Sequence, residues 1–280
     1  MYSTLLLNRI KSTNSHLCAG FDPDMIRQGV RDISGLRQWT FTLIEALHDI
    51  VPVFKFQYAY YEAFGPEGLS VLKAAIDRSR SLGVLTILDA KRSDIETTLL
   101  EYVSTAFALR GGHEFSWDVD AITINPYLSL ESLPTILNSI ERAARGIYLV
   151  VSPTAQNKHR LSAALQDELV TSTELMADTA SGWIHDLMES GCPPFLGFVV
   201  SAVEPQMVEY FSKTYSQPLL IPGIGSQGGR LAEIRQSIKR NPLNLFSVSR
   251  SLYPTATFFG SQTWGEKARA LAFNLNGGLV

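Results

Sequence analysis

The sequence predicts a (β/α)8, or TIM, barrel formed as one domain over residues 1–280. Three observations carry that expectation. Short, continuously apolar runs alternate about eight times with stretches of helical periodicity, and strands of that kind are buried on both faces of a parallel sheet. No linker, low-complexity tract or shift in composition divides a chain whose length suits one barrel. The unusual polar residues fall at the C-terminal ends of the predicted strands, where such barrels hold their active sites.

In order, an N-terminal helical segment leads to a strand at Leu17–Phe21 that ends in Asp22-Pro23-Asp24. Trp39–Ile50 has helical spacing, Val53–Gln57 is the second strand and Pro66–Leu82 the next helix. Val84–Asp89 reads as the third strand and Ile95–Leu109 as a helix with Leu99, Tyr102, Val103 and Ala106 in phase. A loop over Gly111–Asp118 precedes strand Ala121–Ile124, helix Leu130–Ala144 and strand Ile147–Val151. Ser152–Leu165 is a polar excursion and Asp167–Ser190 a long helical stretch. The pattern closes with strands Phe195–Val200, Leu219–Ile221 and Leu245–Val248, alternating with helices Pro205–Tyr215, Arg230–Lys239 and Trp264–Asn274.

A net charge of −3 offers no global basic field, so nucleic-acid binding is not expected. No apolar run approaches the ~20 residues of a membrane span, and Arg9 and Lys11 follow too short an apolar patch for a signal peptide. Cys18 and Cys192 lie far apart and read as reduced, buried thiols of a cytoplasmic protein. The five histidines show no ligand spacing, so no metal site is expected.

Leu88–Thr98 gathers the chemistry. In an extended strand Asp89 and Lys91 project to one face, and Asp94 follows where the next helix begins. A plainer reading makes Asp94 the N-cap of that helix and Asp89–Lys91 an ordinary ion pair. Lys55, in the otherwise apolar Val53–Gln57, is either a lysine snorkelling from a frayed strand or the partner of Asp89 in a shared cavity. Asn125 ends the fourth strand. Pro222–Gly229 follows the seventh and Ser249-Arg250 the eighth, a glycine-rich loop and an arginine where phosphate-binding barrels hold their anion.

These residues resemble orotidine 5′-phosphate decarboxylases, specifically the longer bacterial subfamily. The motif Asp-x-Lys-x-x-Asp is Asp89, Lys91 and Asp94; Leu17–Pro23, Phe54–Glu62, Asn125–Leu128, Pro222–Gly229 and Ser249–Ser251 resemble the family's other motifs. The resemblance implies decarboxylation of orotidine 5′-monophosphate to UMP without metal or cofactor, through a charged tetrad of Lys55, Asp89, Lys91 and Asp94. It implies a homodimer in which Asp94 and Thr98 reach the partner's site. Asp22 and Lys55 would bond ribose hydroxyls; Gln227 and Arg250, with backbone amides near Gly228 and Ser249, would hold phosphate. Ile95 and Asn125 complete the expected substrate-binding set.

Two departures stand out. The family's hydroxyl-bearing run after the fifth strand is replaced by Val151–Asn157, so Ser152 or Thr154 is left to contact the pyrimidine, with Thr154 favoured. Ser93 stands where glycine is common. A Mg²⁺-dependent sugar-phosphate decarboxylase or aldolase of the same superfamily is the nearest rival, but those relatives carry a glutamate in the region of Lys55. A catalytically silent nucleotide-phosphate-binding barrel is the other.

Overall fold

The computed structural model describes residues 1–25, 29–109, 115–129, 131–140, 143–152, 177–179, 181–182, 195–225, 227–253 and 262–277. Eight parallel strands close a barrel in sequence order: β1 Leu17–Phe21, β2 Val53–Gln57, β3 Leu85–Arg92, β4 Ala121–Ile124, β5 Gly146–Ser152, β6 Phe195–Val200, β7 Leu219–Ile221 and β8 Leu245–Val248, with β8 pairing back onto β1. The expected (β/α)8 fold is the observed one.

Strand alternation sorts the apolar residues into two shells. Phe21, Phe54, Phe56, Leu88, Ile122 and Phe246 face outward and pack beneath the helices. Cys18, Val53, Ile87, Ala121, Tyr148, Leu220 and Leu245 fill the lower barrel interior. Helix α1, Tyr2–Thr13, plugs that lower mouth: Tyr2, Leu6 and Ile10 are spaced four apart, share one face, and join the interior cluster. The same end carries Asp120, whose carboxylate accepts from the Thr86 N–H at 2.8 Å, and an ion-pair cluster of Arg80, Arg145 and Asp118. Apolar packing therefore fills the lower barrel interior, beneath the charged residues that the upper strand ends carry.

Several boundaries differ from the periodicity. Helix α2 runs Ile33–Leu47, six residues ahead of the expected start, because Asp32 caps it by accepting from the Gly35 N–H at 2.7 Å. Short helices α3, Tyr58–Glu62, and Pro126–Ser129 follow β2 and β4 directly. The Arg230–Lys239 segment is two short helices, Leu231–Ile234 and Gln236–Arg240. Strand β3 extends through Arg92 rather than stopping at Asp89. Most of the Ser152–Leu165 excursion and of the Asp167–Ser190 stretch, and Cys192, lie outside the described residues, whereas Cys18 is buried. No helix among the described residues is long and apolar enough to cross a membrane.

Candidate active site

β2 and β3 pair with Gln57 opposite Asp89 and Lys55 opposite Ile87. With Phe54 and Phe56 turned outward, Lys55 and Gln57 face the interior, where Asp89 also points. Lys55 Nζ lies 2.6 Å from Asp89 Oδ2, and Gln57 Nε2 donates to the same oxygen at 3.3 Å. Lys91 Nζ lies 2.6 Å from Asp89 Oδ1, which also accepts from Thr123 Oγ1 at 3.0 Å. Each carboxylate oxygen thus holds one ammonium and one neutral donor. Lys55 is only 5% exposed, which removes the snorkelling alternative; the Lys91 side chain is 46% exposed and stands at the mouth.

The electrostatics follow from that packing. Burial by itself favours the neutral acid, but Lys55 and then Lys91 outweigh it and hold Asp89 well below the usual carboxylate range. Burial likewise disfavours the Lys55 ammonium, yet Asp89, with a smaller contribution from Asp22, raises it above an ordinary lysine. Below them burial pushes the Cys18 thiol up to about 12, an inert group at neutral pH.

Lys91 does not reach this position by simple alternation. Its φ is +45°, and the β3–β4 register slips between Leu88 and Arg92. This bulge re-aims the side chain over the mouth while Arg92 rejoins β4 opposite Ile124.

Asp94 lies apart from this triad. It precedes helix Glu96–Phe107, whose N-cap position is Ile95 with no side-chain cap, so Asp94 is not the N-cap. Its Oδ1 accepts from the Ile95 N–H at 2.8 Å and its own N–H donates to Ser129 Oγ at 3.2 Å. Among the described residues Asp94 makes no salt bridge. Thr98 is exposed on the next turn, and Ile95 (65% exposed), Tyr127 (76%) and Leu128 (55%) are large exposed apolar side chains.

Asp22 follows β1. Its Oδ1 is buried with no hydrogen-bond partner among the described residues, an acceptor directed into the protein and left over. The Asp22 N–H donates to Tyr253 Oη at 3.1 Å, and the same hydroxyl donates to the Gly20 carbonyl. Tyr253 therefore fastens the segment after β8 to the end of β1. A Cβ at Gly20 would lie 2.1 Å from Ser249 Oγ, so the glycine leaves room for that hydroxyl.

After β7, Gly223, Gly225 and Gly228 all have positive φ, and the turn is closed by N–H donation from Gly225 to Gly229, Gly228 to Gly225 and Gly229 to Gly223. The Gly228 amide is therefore engaged within the loop. Gln227 is exposed, with Oε1 folded toward Gly223. Arg250 opens a 3-10 turn, Arg250–Leu252, is half-buried, and forms no ion pair among the described residues. Asn125 lies at the end of β4, where its Oδ1 accepts from the Tyr127 N–H at 3.1 Å. Ser152 ends β5, and Thr154 lies outside the described residues. Among the described residues no group of three or more His, Cys, Asp or Glu side chains is placed to hold a metal ion.

Gln57, Thr123 and Tyr253 were not signalled by sequence. Gln57, the polar end of an apolar strand, offered a hint; Thr123 is a small β-branched residue that fits any buried strand.

Residues 15–256 match the family model described as orotidine 5′-phosphate decarboxylase / HUMPS family. The orotidine 5′-phosphate decarboxylase of Herpetosiphon aurantiacus is 33% identical, over 93% of this chain and 91% of its own. That of Rhodopirellula baltica is 27% identical, over 98% and 97%. In fold, the crystal structure of Plasmodium berghei orotidine 5′-monophosphate decarboxylase superposes with a TM-score of 0.80 at 20% identity, over 100% of this chain and 98% of that one. That of Methanocaldococcus jannaschii, complexed with the inhibitor BMP, superposes with a TM-score of 0.62 at 17% identity, over 95% and 98%. With a family model spanning most of the chain and relatives of matching length, the chain belongs to the orotidine 5′-phosphate decarboxylase / HUMPS family.

Proposed function

We propose that this protein is a carboxy-lyase that converts orotidine 5′-monophosphate to UMP and CO2 in pyrimidine biosynthesis, in the cytoplasm, with neither metal nor cofactor. The observation that carries the reading is the Asp89 carboxylate held between Lys55 and Lys91, 2.6 Å from each ammonium, at the upper mouth of the barrel. Loss of CO2 leaves a pair of electrons on C6 of the pyrimidine. The Lys91 ammonium, already fixed at the mouth, would stabilise that carbanion and then deliver the proton that completes UMP. Asp89, charged and immobile, would repel the substrate carboxylate and disfavour the ground state relative to the transition state.

The unpartnered Asp22 Oδ1 and the Lys55 ammonium suit ribose hydroxyls. Arg250 and Gln227 suit the phosphate, with the Ser249 and Gly228 segments shaping its cradle. Phosphate is remote from the bond that breaks, so its binding energy would serve positioning. Ile95, Asn125 and Ser152 or Thr154 would complete the pyrimidine side.

Asp94 makes no salt bridge with its own triad among the described residues and accepts from the N–H of exposed Ile95, which supports a homodimer in which Asp94 and Thr98 complete the partner's site. Mixing inactive Lys91→Ala and Asp94→Ala proteins would then return activity, about a quarter of wild type for random two-fold pairing, because each heterodimer holds one intact site. No recovery after demonstrated subunit exchange counts against sharing.

The direct test follows the fall in ultraviolet absorbance of orotidine 5′-monophosphate in excess EDTA, with UMP identified as product. Turnover lost in Lys91→Ala is the expected result. Turnover only with added Mg²⁺, or binding without turnover, would move the assignment to the rival sugar-phosphate chemistry or to a silent binder.

A further inference from the structure

We infer that Thr123 is a positioning residue for this reaction, holding the Asp89 carboxylate and the Lys91 backbone in one arrangement through its single hydroxyl. The inference rests on the proposed decarboxylation and goes beyond it, since Thr123 is not among the residues expected to bind the substrate.

The hydroxyl is used twice. Its proton goes to Asp89 Oδ1 at 3.0 Å, and its lone pair accepts the Lys91 N–H at 2.9 Å. Because Lys91 Nζ also reaches Asp89 Oδ1, the three residues close a ring: carboxylate to ammonium, down the Lys91 side chain to its amide, to the Thr123 oxygen and back to the carboxylate. Thr123 is 1% exposed, so water cannot substitute for either bond.

Lys91 needs such a hold. A left-handed φ of +45° is unfavourable for a residue with a Cβ, and it persists only where neighbours over-determine it. On the far side, the Asn125 N–H donates to the Arg92 carbonyl at 2.8 Å, and the Arg92 guanidinium lies 4.6 Å from the Tyr58 ring centre and 4.7 Å from that of Tyr102. On the near side, the Lys91 amide has Thr123 as its acceptor. With Thr123 present all four acceptor positions of Asp89 are occupied, two by lysines and two by neutral donors, and the carboxylate has no free rotation. Without it, Oδ1 has only Lys91 to orient it, and the bulge that aims Lys91 loses its anchor.

Thr123→Val keeps shape and removes both bonds; Thr123→Ser keeps the hydroxyl. In the EDTA assay, Thr123→Val should lower kcat about 10- to 100-fold with KM within about threefold of wild type, and Thr123→Ser should return kcat to within about threefold. Hydrogen exchange at the Lys91 amide should rise at least about tenfold in the valine variant and be restored in the serine variant. A valine variant with wild-type kcat overturns the inference, as does one in which kcat, KM and melting temperature all worsen and serine rescues none of them. If the wild type itself shows no turnover, the decarboxylase reading fails, and unchanged exchange at Lys91 would separately overturn the Thr123 anchor.

Discussion

Lys55 Nζ and Asp89 Oδ2 lie 2.6 Å apart inside the barrel although the two residues are not register partners: Lys55 sits opposite Ile87 and reaches up two positions to Asp89. The lysine stem thereby occupies the layer above Cys18 and Val53, and its charge is delivered to the carboxylate at the mouth. An apolar floor and a charged ceiling are produced by the same alternation.

Removing the anion should be costly. Asp89→Asn leaves the buried Lys55 ammonium without its counter-charge, and destabilisation of about 3–5 kcal/mol is expected from urea unfolding, together with loss of turnover.

The pH dependence of that cost has a definite sign. Asp89 is lowered on folding, so its contribution is present above the unfolded value of about 3.9 and is lost as pH falls through the lower folded value. Lys55 is raised, so its contribution is present below about 10.4 and is lost as pH rises through the higher folded value. The pair's contribution to wild-type stability should be level from about pH 5 to 9 and decline beyond both ends. Wild-type stability that falls away inside that window through titration of Asp89 or Lys55 would contradict a fully charged pair.

Lys91 should behave oppositely to Asp89. Its side chain is half exposed, so Lys91→Ala should shift stability by no more than about 1 kcal/mol while lowering kcat by about 10³-fold or more. Retained UMP binding, read by calorimetry, would separate lost chemistry from a lost site.

The joint between β1 and the segment after β8 is open to test through Tyr253. Tyr253→Phe strands the Asp22 N–H and the Gly20 carbonyl, with an expected loss of about 1–3 kcal/mol. Because Asp22 and Arg250 lie on the two sides of this joint, KM for orotidine 5′-monophosphate should rise more than kcat falls.

Gly20→Ala probes the same joint sterically. The new methyl would overlap Ser249 Oγ and displace it, and a displacement passed on to Arg250 is expected to cost about 1–3 kcal/mol and to raise KM. A variant with unchanged melting temperature and KM would show that the segment yields freely.

Much of this was legible in the residues themselves. Strands such as Leu17–Phe21, Val53–Gln57 and Ala121–Ile124 were readable to the residue because a parallel barrel buries both faces of each strand, which leaves an unbroken apolar run. Lys55 stood out because a charge in such a run must have a partner. Asp32 leaves no such mark, because one polar residue starts α2 ahead of its apolar period. The face shared by Asp89 and Lys91 was anticipated for an incomplete reason: alternation suggested it, but a bulge and a left-handed Lys91 produce it.

By itself the sequence determined the barrel, the order of its strands and the charged residues at their ends, since each depends on local hydrophobic period or on the expense of burying a charge. Only the tertiary structure decided that Asp89 belongs at once to Lys55, Gln57, Lys91 and Thr123, that Tyr253 joins β1 to the segment after β8, and that Asp94 bonds the Ile95 N–H and Ser129. Those relationships depend on register between strands far apart in the chain and on one backbone bulge, and neither leaves a period in the sequence.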